Sequence, residues 1–215
     1  MANIKIETTH VSPIMTNCYL VINLDSGELI LIDPGDNAPG LIESIDDSGL
    51  ALRGILLTHG HFDHAGAANE IADHFGVSVY AHEKEAEVLS APSLNLSGGM
   101  MGRPAAYKAD RLLKDDEEVT LGGMTFKTLY TPGHTVGGCS FYFPEAKAVF
   151  AGDTLFCGSV GRTDFPGGSM SVLSNSIREK LYTLPGDTVV YPGHDSITTI
   201  DQEKENNPFV PADDI

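Results

Sequence analysis

Cysteine is scarce in this 215-residue sequence, which contains only Cys18, Cys139 and Cys157. The number is odd and no C-x-x-C pair is present, so a disulfide framework is not expected. The N-terminal segment has no basic stretch leading into an apolar one, and no signal peptide is predicted. Together these absences predict a protein of the reducing cytoplasm.

Positive charge is also scarce. Lysine and arginine number 13 against 30 aspartates and glutamates, giving a formal net charge of −17. Such a surface repels nucleic-acid phosphates and anionic lipid heads, so neither nucleic acid nor a membrane surface is expected as a partner. The acidity is interpreted mainly as a solubility feature, with part of it offset by bound cations. No apolar run approaches the roughly 20 residues that a membrane span needs.

Hydrophobic residues make up 41% of the chain and charged residues 20%, a composition that can build a core. The length is ordinary for one α/β domain, and a single domain over 1–215 is predicted. Strands are predicted at 18–23, 28–33, 53–58, 77–81, 124–130, 139–143, 148–152 and 188–193, and helices at 42–45, 65–76, 83–90 and 170–184. Strands and helices without strict alternation favour packed sheets with helices outside.

Two segments do not fit this pattern of strands and helices. The segment 91–110 is rich in Gly, Pro, Ser and Met. Long loops inside compact domains are often functional, so it is interpreted as a lid or pocket wall, with a plain surface loop as the alternative. The C-terminal tail, which ends in NPFVPADDI, is interpreted as a strap on the surface.

The strongest motif is the run of three histidines and one aspartate in the six residues His59 to His64. It follows a predicted buried strand. In an extended chain His59, His61 and Asp63 would point the same way, and a turn would let His64 join them. Imidazole and carboxylate groups are ligands for zinc, iron or manganese. Crowding like groups in this way is costly unless something binds them, so the motif predicts a metal site.

Three further segments place ligand-type residues after predicted strands. Two of them are Pro-Gly-His segments, which end at His134 and His194, and the third contains Asp153. Five histidines and two aspartates exceed the needs of one zinc ion and suffice for two, with one carboxylate bridging. Two ions about 3.5–4 Å apart can hold a hydroxide and polarise the bond that it attacks. The sequence therefore predicts a hydrolase with two divalent ions.

The remaining histidines and the cysteines are not assigned to this site. His10, His74 and His82 are interpreted as structural or exposed residues. No cysteine belongs to a motif that contains a base, although Cys157 lies close behind Asp153 in the sequence. A cysteine nucleophile or thiolate ligand is therefore not expected.

The pattern His59-x-His61-x-Asp63-His64, followed by His134, Asp153 and His194, resembles the ligand signature of the metallo-β-lactamase superfamily over nearly the whole chain. The resemblance implies an αββα sandwich of two mixed sheets with helices outside and metals at one edge. It also implies a first ion on His59, His61 and His134, a second on Asp63, His64 and His194, and Asp153 as the bridge. Zinc is the expected metal, with iron or manganese as alternatives.

Within the superfamily the sequence is most similar to short bacterial hydrolases of the glyoxalase II type. The resemblance rests on Asp33-Pro34-Gly35, on the segments 57–61 and 161–166, and on Asn207-Pro208-Phe209. It implies thioester hydrolysis of S-lactoylglutathione by a metal-bound hydroxide, which Asp63 would tune. Arg162 matches a basic residue that helps to hold glutathione, with an ion pair to Asp164 as the alternative. The helical C-terminal domain of the longer enzymes is not expected here.

Several other functions remain open. A mononuclear iron oxidoreductase of the persulfide dioxygenase type shares the fold and a stretch like residues 161–165, and it would leave positions open for oxygen. Another hydrolase of the family, acting on a lactone, an ester or a β-lactam, is a further alternative, as is a metal-binding protein without activity. The expected partner is a small thioester, and no oligomeric state is predicted.

Overall fold

Two six-stranded sheets face each other, and helices cover the outer side of each. The structure is a computed structural model that describes residues 3–100 and 102–211. The strands are β1 (Ile4–Val11), β2 (Thr16–Asn23), β3 (Glu28–Ile32), β4 (Ala51–Leu56), β5 (Ser78–His82), β6 (Arg111–Leu113), β7 (Glu118–Leu121), β8 (Met124–Tyr130), β9 (Cys139–Phe143), β10 (Ala148–Gly152), β11 (Leu155–Phe156), β12 (Ser159–Val160), β13 (Val189–Pro192) and β14 (Thr198–Thr199). The α-helices are α1 (Ala38–Ser48), α2 (Phe62–Ala65), α3 (Ala68–Phe75), α4 (Ala86–Ser90), α5 (Ser97–Met100), α6 (Met170–Ser176) and α7 (Ile200–Asn206).

Both sheets are mixed. The first has the order β1-β2-β3-β4-β5-β6, in which β1, β2 and β3 pair antiparallel and β3 to β6 pair parallel. The second has the order β14-β13-β10-β9-β8-β7, with β10 and β13 as its parallel pair. Parallel neighbours need crossover connections, and these contain helices α1, α3 and α6. The strands β11 and β12 form a small separate hairpin.

The core has three layers because successive side chains of a strand point to opposite faces. On β3, Leu29 and Leu31 pack with helices α1 and α3, whereas Ile30 and Ile32 pack between the sheets. On β10, Phe150 points between the sheets, and its neighbours belong to the layer under α6. The αββα architecture that the sequence predicts is therefore confirmed.

Several predicted boundaries match the structure. The strands predicted at 124–130, 139–143 and 148–152 have those bounds. Helices α1 and α3 end at Gly49 and Gly76, both with positive φ, as expected for glycine after a helix. The turn between β2 and β3 closes with a hydrogen bond of 2.9 Å from Gly27 N to Asn23 O.

Other boundaries were predicted wrongly. Strand β1 was missed because its polar and charged residues obscure the alternation at an exposed sheet edge. The helix predicted over 170–184 is α6 followed by a π-helical turn at Ile177–Leu181, and Tyr182 N bonds to Ile177 O at 2.8 Å. Pro185 follows shortly afterwards, and proline disfavours helical backbone at the preceding residue.

The tail is more than a strap on the surface. Helix α7 lies in it, and the side chains of Asn207 and Val210 are buried. The last four residues, 212–215, lie outside the described part of the chain. None of the helices that the structure describes is long and apolar enough to cross a membrane.

Candidate metal centre

All seven side chains that the sequence singled out as metal ligands lie on segments that follow strands. His59 to His64 come after β4 of the first sheet, whereas His134, Asp153 and His194 follow β8, β10 and β13 of the second. The structure brings the seven together in three overlapping groups of close ligand atoms. The groups are His59, His61 and His134; His59, His64 and Asp153; and Asp63, His64 and His194, and the ligand atoms within each lie within 4.8 Å of one another.

The backbone of the His59–His64 motif differs from the extended run that the sequence suggested. His61 has an extended backbone and occupies the N-cap position of helix α2, which begins at Phe62, without a capping hydrogen bond from its side chain. Asp63 and His64 are therefore both helical residues, and His64 N and Ala65 N both bond to His61 O at 3.0 Å. The prediction that Asp63 continues the alternation of His59 and His61 is wrong, although a turn within the motif does bring His64 to the site.

The two Pro-Gly-His segments need their glycines for different reasons. Gly133 has φ 128°, a conformation that side chains with a Cβ rarely adopt. Gly193 allows a close approach, because a Cβ added there would lie 2.6 Å from His64 Cε1. The loop that carries His194 is also held to β2, where Asn17 N donates to Gly193 O at 2.8 Å.

Three polar atoms at the centre of the cluster are buried without a hydrogen-bond partner among the described residues. They are Nε2 of His59, Nε2 of His64 and Oδ1 of Asp153. A buried polar atom that lacks a partner costs free energy, and native proteins contain few of them. Metal ions among these atoms would remove that cost. The donor set therefore fits divalent metal, and the His/Asp cluster is a metal-binding one.

The histidine rings of the first group are held in orientations suited to binding an ion. Thr58 Oγ1 donates to Asp33, so it accepts from His59 Nδ1 at 3.1 Å and leaves His59 Nε2 free. His134 Nδ1 donates to Arg162 O at 2.7 Å, and its Nε2 lies 2.9 Å from His61 Nδ1. Hydrogen bonds of this kind fix ring orientation in metal sites.

Burial keeps two of these rings neutral. It lowers the pKa of His59 well below its usual value, with a further contribution from His64. It also lowers the pKa of His61 to about 3, assisted by His134. A histidine must lose its ring proton before it can bind a metal ion, so both rings are ready for a ligand role at neutral pH.

Asp33 holds the ring of His64, and this role was not predicted from the sequence. Its carboxylate accepts from Thr58 N at 2.8 Å and from Thr58 Oγ1 at 2.6 Å, and His64 Nδ1 donates to it at 2.9 Å. Asp33 is buried and has φ 51°, which aspartate tolerates better than most residues. The Asp-Pro-Gly turn after a strand was the available signal, but nothing local showed that it contacts His64.

The two aspartates of the cluster carry negative charge. Burial alone would raise the pKa of Asp63 and Asp153, but His64 and the other histidines around them together outweigh it and hold both pKa values below the usual range. Asp63 Oδ2 also accepts from Thr16 Oγ1 at 2.9 Å and lies 3.2 Å from His194 Nε2. Asp153 lies 3.4 Å from both His64 Nε2 and His134 Nε2. His134 belongs to the group with His59 and His61, and His64 to the group with Asp63 and His194.

Arg162 lies beside the cluster rather than in it. Its Nε and Nη2 donate to both oxygens of Asp164 at 2.7 and 2.6 Å, and the guanidinium carbon lies 4.0 Å from the centre of the Phe165 ring. The ion pair that the sequence offered as an alternative is present. Arg162 also lines the cavity at the cluster, so the two roles are compatible in space.

A cavity of about 370 Å³ opens onto the cluster. Its walls are mainly apolar and include Ile14, Phe62, Phe156 and Phe165. The segment predicted as a lid or wall forms part of the same cavity through Leu96 and Met100. Within that segment Asn95 is buried and Nδ2 donates to Leu89 O and Ala105 O, which holds this wall in place.

The other histidines and the cysteines lie outside the cluster. His10 is exposed, His74 pairs with Asp46 at the surface, and His82 is buried with its ring stacked on Tyr130. These positions agree with the structural or exposed roles that were predicted. All three cysteines are free, as the sequence suggested, and only Cys157 is exposed.

The αββα fold and the His/Asp cluster at its edge are those of metal-dependent hydrolases. The model of the Metallo-beta-lactamase superfamily matches residues 11–194, and the chain belongs to this superfamily. It is 41% identical over 201 residues to the "Probable metallo-hydrolase YqgX" of Bacillus subtilis (strain 168), covering 93% of this chain and 94% of the relative. It is also 41% identical over 209 residues to the "Hydroxyacylglutathione hydrolase GloC" of Haemophilus influenzae, covering 96% of this chain and 98% of the relative.

Solved structures show the same fold. BLEG-1 B3 metallo-beta-lactamase superposes with a TM-score of 0.91 at 41% identity, covering 96% of this chain and 99% of that one. The structure of TTHA1623 in a di-iron-bound form superposes with a TM-score of 0.81 at 36% identity, covering 95% of this chain and 100% of that one. ETHE1 from Myxococcus xanthus superposes with a TM-score of 0.78 at 29% identity, covering 95% of this chain and 83% of that one.

Proposed function

We propose that this protein hydrolyses thioesters of the S-lactoylglutathione type, using two divalent ions held by the seven residues of the cluster. The observation that carries the proposal is the set of buried ligand atoms on His59, His64 and Asp153 that make no hydrogen bond to the described residues, at the meeting point of the three groups. Zinc is the first choice of metal. Iron is the main alternative, since the similar TTHA1623 structure is a di-iron form.

The ligand roles follow the three groups. His59, His61 and His134 would hold one ion, and Asp63, His64 and His194 the other. Asp153 would bridge, because it lies close to rings of both sides. When bound there, divalent ions would supply Lewis-acid chemistry, which lowers the pKa of water towards about 7 and polarises a carbonyl.

The protein's own residues position the reactants. Asp63 lines the cavity, and its carboxylate is oriented by the hydroxyl of Thr16, so a carboxylate oxygen can accept a hydrogen bond from the attacking water and orient it. The apolar wall formed by Phe62, Phe156 and Phe165 excludes bulk water from the acyl group. This exclusion strengthens electrostatic interactions at the cluster.

A thioester suits this site because it needs little acid catalysis. A thiol leaving group has a pKa near ~8.5 and can depart as thiolate. Among the described residues that line the cavity, the titratable side chains outside the cluster are Arg162 and Asp195, and no histidine, cysteine or tyrosine is available there as an acid. The GloC relative, named as a hydroxyacylglutathione hydrolase, supports the same substrate class. We propose a small-molecule substrate in the cytoplasm, and neither nucleic acid nor membrane as a partner.

The test is to follow loss of the S-lactoylglutathione thioester with purified, zinc-loaded protein, before and after the metal is stripped with a chelator. We expect efficient hydrolysis that disappears with the metal and returns when zinc is added. A β-lactam, a lactone and a persulfide with oxygen are the comparison substrates, given the similarity to BLEG-1 and ETHE1. Turnover of one of these by metal-loaded protein, with the thioester left intact, would refute the thioesterase proposal.

Arg162 is proposed to attract the anionic thiol carrier, although Asp164 neutralises part of its charge. Arg162→Gln should raise KM for S-lactoylglutathione more than it lowers kcat. Asp164→Asn should lower KM, because it leaves the arginine charge uncompensated. For a neutral thioester, such as one of N-acetylcysteamine, KM should change little in either variant. Equal effects on the charged and neutral substrates would show that Arg162 is only structural.

Arg103 provides a matched control for this charge effect. It lines a neighbouring cavity of about 470 Å³ that shares Ile14, Phe62 and Met100 with the cavity at the cluster. Arg103→Gln removes the same charge from a cavity that is lined by none of the seven proposed ligands. A rise in KM for Arg103→Gln but not for Arg162→Gln would place the anionic group in this neighbouring cavity and contradict the role proposed for Arg162.

A further inference from the structure

Glu85 is a carboxylate with no solvent exposure that lies outside the seven-residue cluster. It ends the short 3₁₀ turn Glu83–Glu85, which follows strand β5. Its Oε1 accepts from Gly60 N at 2.8 Å. Its Oε2 accepts from Gly137 N at 2.8 Å and from Thr135 Oγ1 at 3.1 Å.

The donors to Glu85 belong to the two segments that carry the first group of ligands. Gly60 stands between His59 and His61, and Thr135 directly follows His134. One segment extends from the first sheet and the other from the second. A single buried carboxylate therefore connects the backbone around all three histidines of this group.

The contact is close as well as polar. A Cβ added at Gly137 would lie 2.6 Å from Glu85 Cα, so the second segment is in direct contact with the 3₁₀ turn. Burial raises the pKa of Glu85 to about 7, although its three hydrogen bonds lower it. An unpaired carboxylate here would be costly, and its location is explained by the donors that it connects.

We propose that Glu85 is the positioning residue of the ion site formed by His59, His61 and His134, because it fixes the distance between the two segments that carry them. The proposal rests on the metal-binding part of the proposed function and not on the thioester substrate. The group of Asp63, His64 and His194 has separate support, since Asp33 accepts a hydrogen bond from His64 and Thr16 donates one to Asp63. Loss of Glu85 should therefore affect one ion site selectively.

Glu203 offers a matched control. It is also buried, and it accepts from Gly158 N at 2.9 Å, from Thr198 Oγ1 at 2.6 Å and from Asn207 Nδ2 at 2.8 Å. These donors connect helix α7 to the hairpin of β11 and β12, and none belongs to the metal cluster. Glu203→Gln should therefore lower stability as Glu85→Gln does, while metal binding stays as in the wild type.

The experiment uses the full chain, stripped of metal and titrated with Zn²⁺ by equilibrium dialysis. Crystals grown at limiting Zn²⁺ then show by anomalous scattering which site is filled. In Glu85→Gln the amide oxygen can still accept a hydrogen bond. The NH₂ group that replaces the other oxygen faces an N–H or O–H donor, so the hydrogen bonds on that side are lost. We expect the affinity of the His59–His61–His134 site to fall about 10–100-fold, the range seen when residues behind metal ligands are changed. The affinity of the other site should change less than threefold.

Thr135→Val provides a milder test if Glu85→Gln does not fold. It removes one donor and leaves the carboxylate in place, so the same site should weaken, by a smaller factor. If a folded variant keeps the wild-type Zn²⁺ affinity, or if the affinities of both sites fall equally, the positioning role is overturned while the proposed function stays intact. Wild-type protein that binds no Zn²⁺ would refute the metal-binding proposal itself, and the role of Glu85 with it.

Discussion

Replacing Asp153 with alanine is expected to remove bound metal and hydrolytic activity together. Asp153 lies 3.4 Å from His64 Nε2 and from His134 Nε2, so it is close to rings from both sides of the cluster. Without it, each proposed ion loses a ligand, and the positive charge of two ions is no longer offset between them. Metal catalysis contributes several kcal/mol of transition-state stabilisation, so the loss in kcat/KM should be about 10³-fold or more.

The measurement combines metal content per chain with thioester hydrolysis on the same sample. Asp195→Asn is the control, because Asp195 lines the cavity but does not belong to the groups of ligand atoms. It should retain both ions and most of the activity. Two ions per chain in Asp153→Ala would refute the bridging role.

Replacing Asp33 with alanine is expected to have the second largest effect, although Asp33 is not proposed to bind metal. Its carboxylate accepts from Thr58 N, Thr58 Oγ1 and His64 Nδ1. Each buried donor left without a partner costs about 1–3 kcal/mol. Alanine also tolerates φ 51° less well than aspartate, which adds a smaller backbone penalty. The His64 ring also loses the bond that orients it, and metal affinity should fall about 10–100-fold.

Thermal unfolding of stripped and zinc-loaded protein separates the two consequences for Asp33. The stripped variant should melt well below the stripped wild type, and zinc should stabilise it less. Asp33→Asn is the matched control, because asparagine tolerates the left-handed backbone and keeps one acceptor. The melting temperature of Asp33→Asn, and its stabilisation by zinc, should lie between those of Asp33→Ala and the wild type. Wild-type metal affinity in Asp33→Ala would show that Asp33 does not position His64.

The fold could be predicted from the sequence where the strands are buried. Segments such as 139–143 and 148–152 are apolar runs bounded by turn residues, and their bounds were predicted correctly. Strand β1 was missed because it is an edge strand, and exposed edges accept residues such as Lys5 and Glu7. The two-residue strands β11, β12 and β14 are too short to show a period.

The seven proposed ligands could be named from the sequence because each lies in a recognisable local motif on a segment that follows a strand. Their geometry could not, since helix α2 begins within the motif and turns Asp63 and His64 away from an extended run. Asp33 and Glu85 act on backbone or rings that are 25 to 52 residues distant in sequence. Such partners depend on how the two sheets meet, and no local pattern contains that information.

The central claim is that the cluster holds two ions, and counting them tests it most directly. Wild-type protein, stripped and then dialysed against excess Zn²⁺, is analysed for metal content, and its anomalous scattering is used to locate each ion. The proposal predicts two ions per chain, one at His59, His61 and His134 and one at Asp63, His64 and His194, with Asp153 between them. A single ion per chain at saturation would contradict the proposal and favour a mononuclear enzyme.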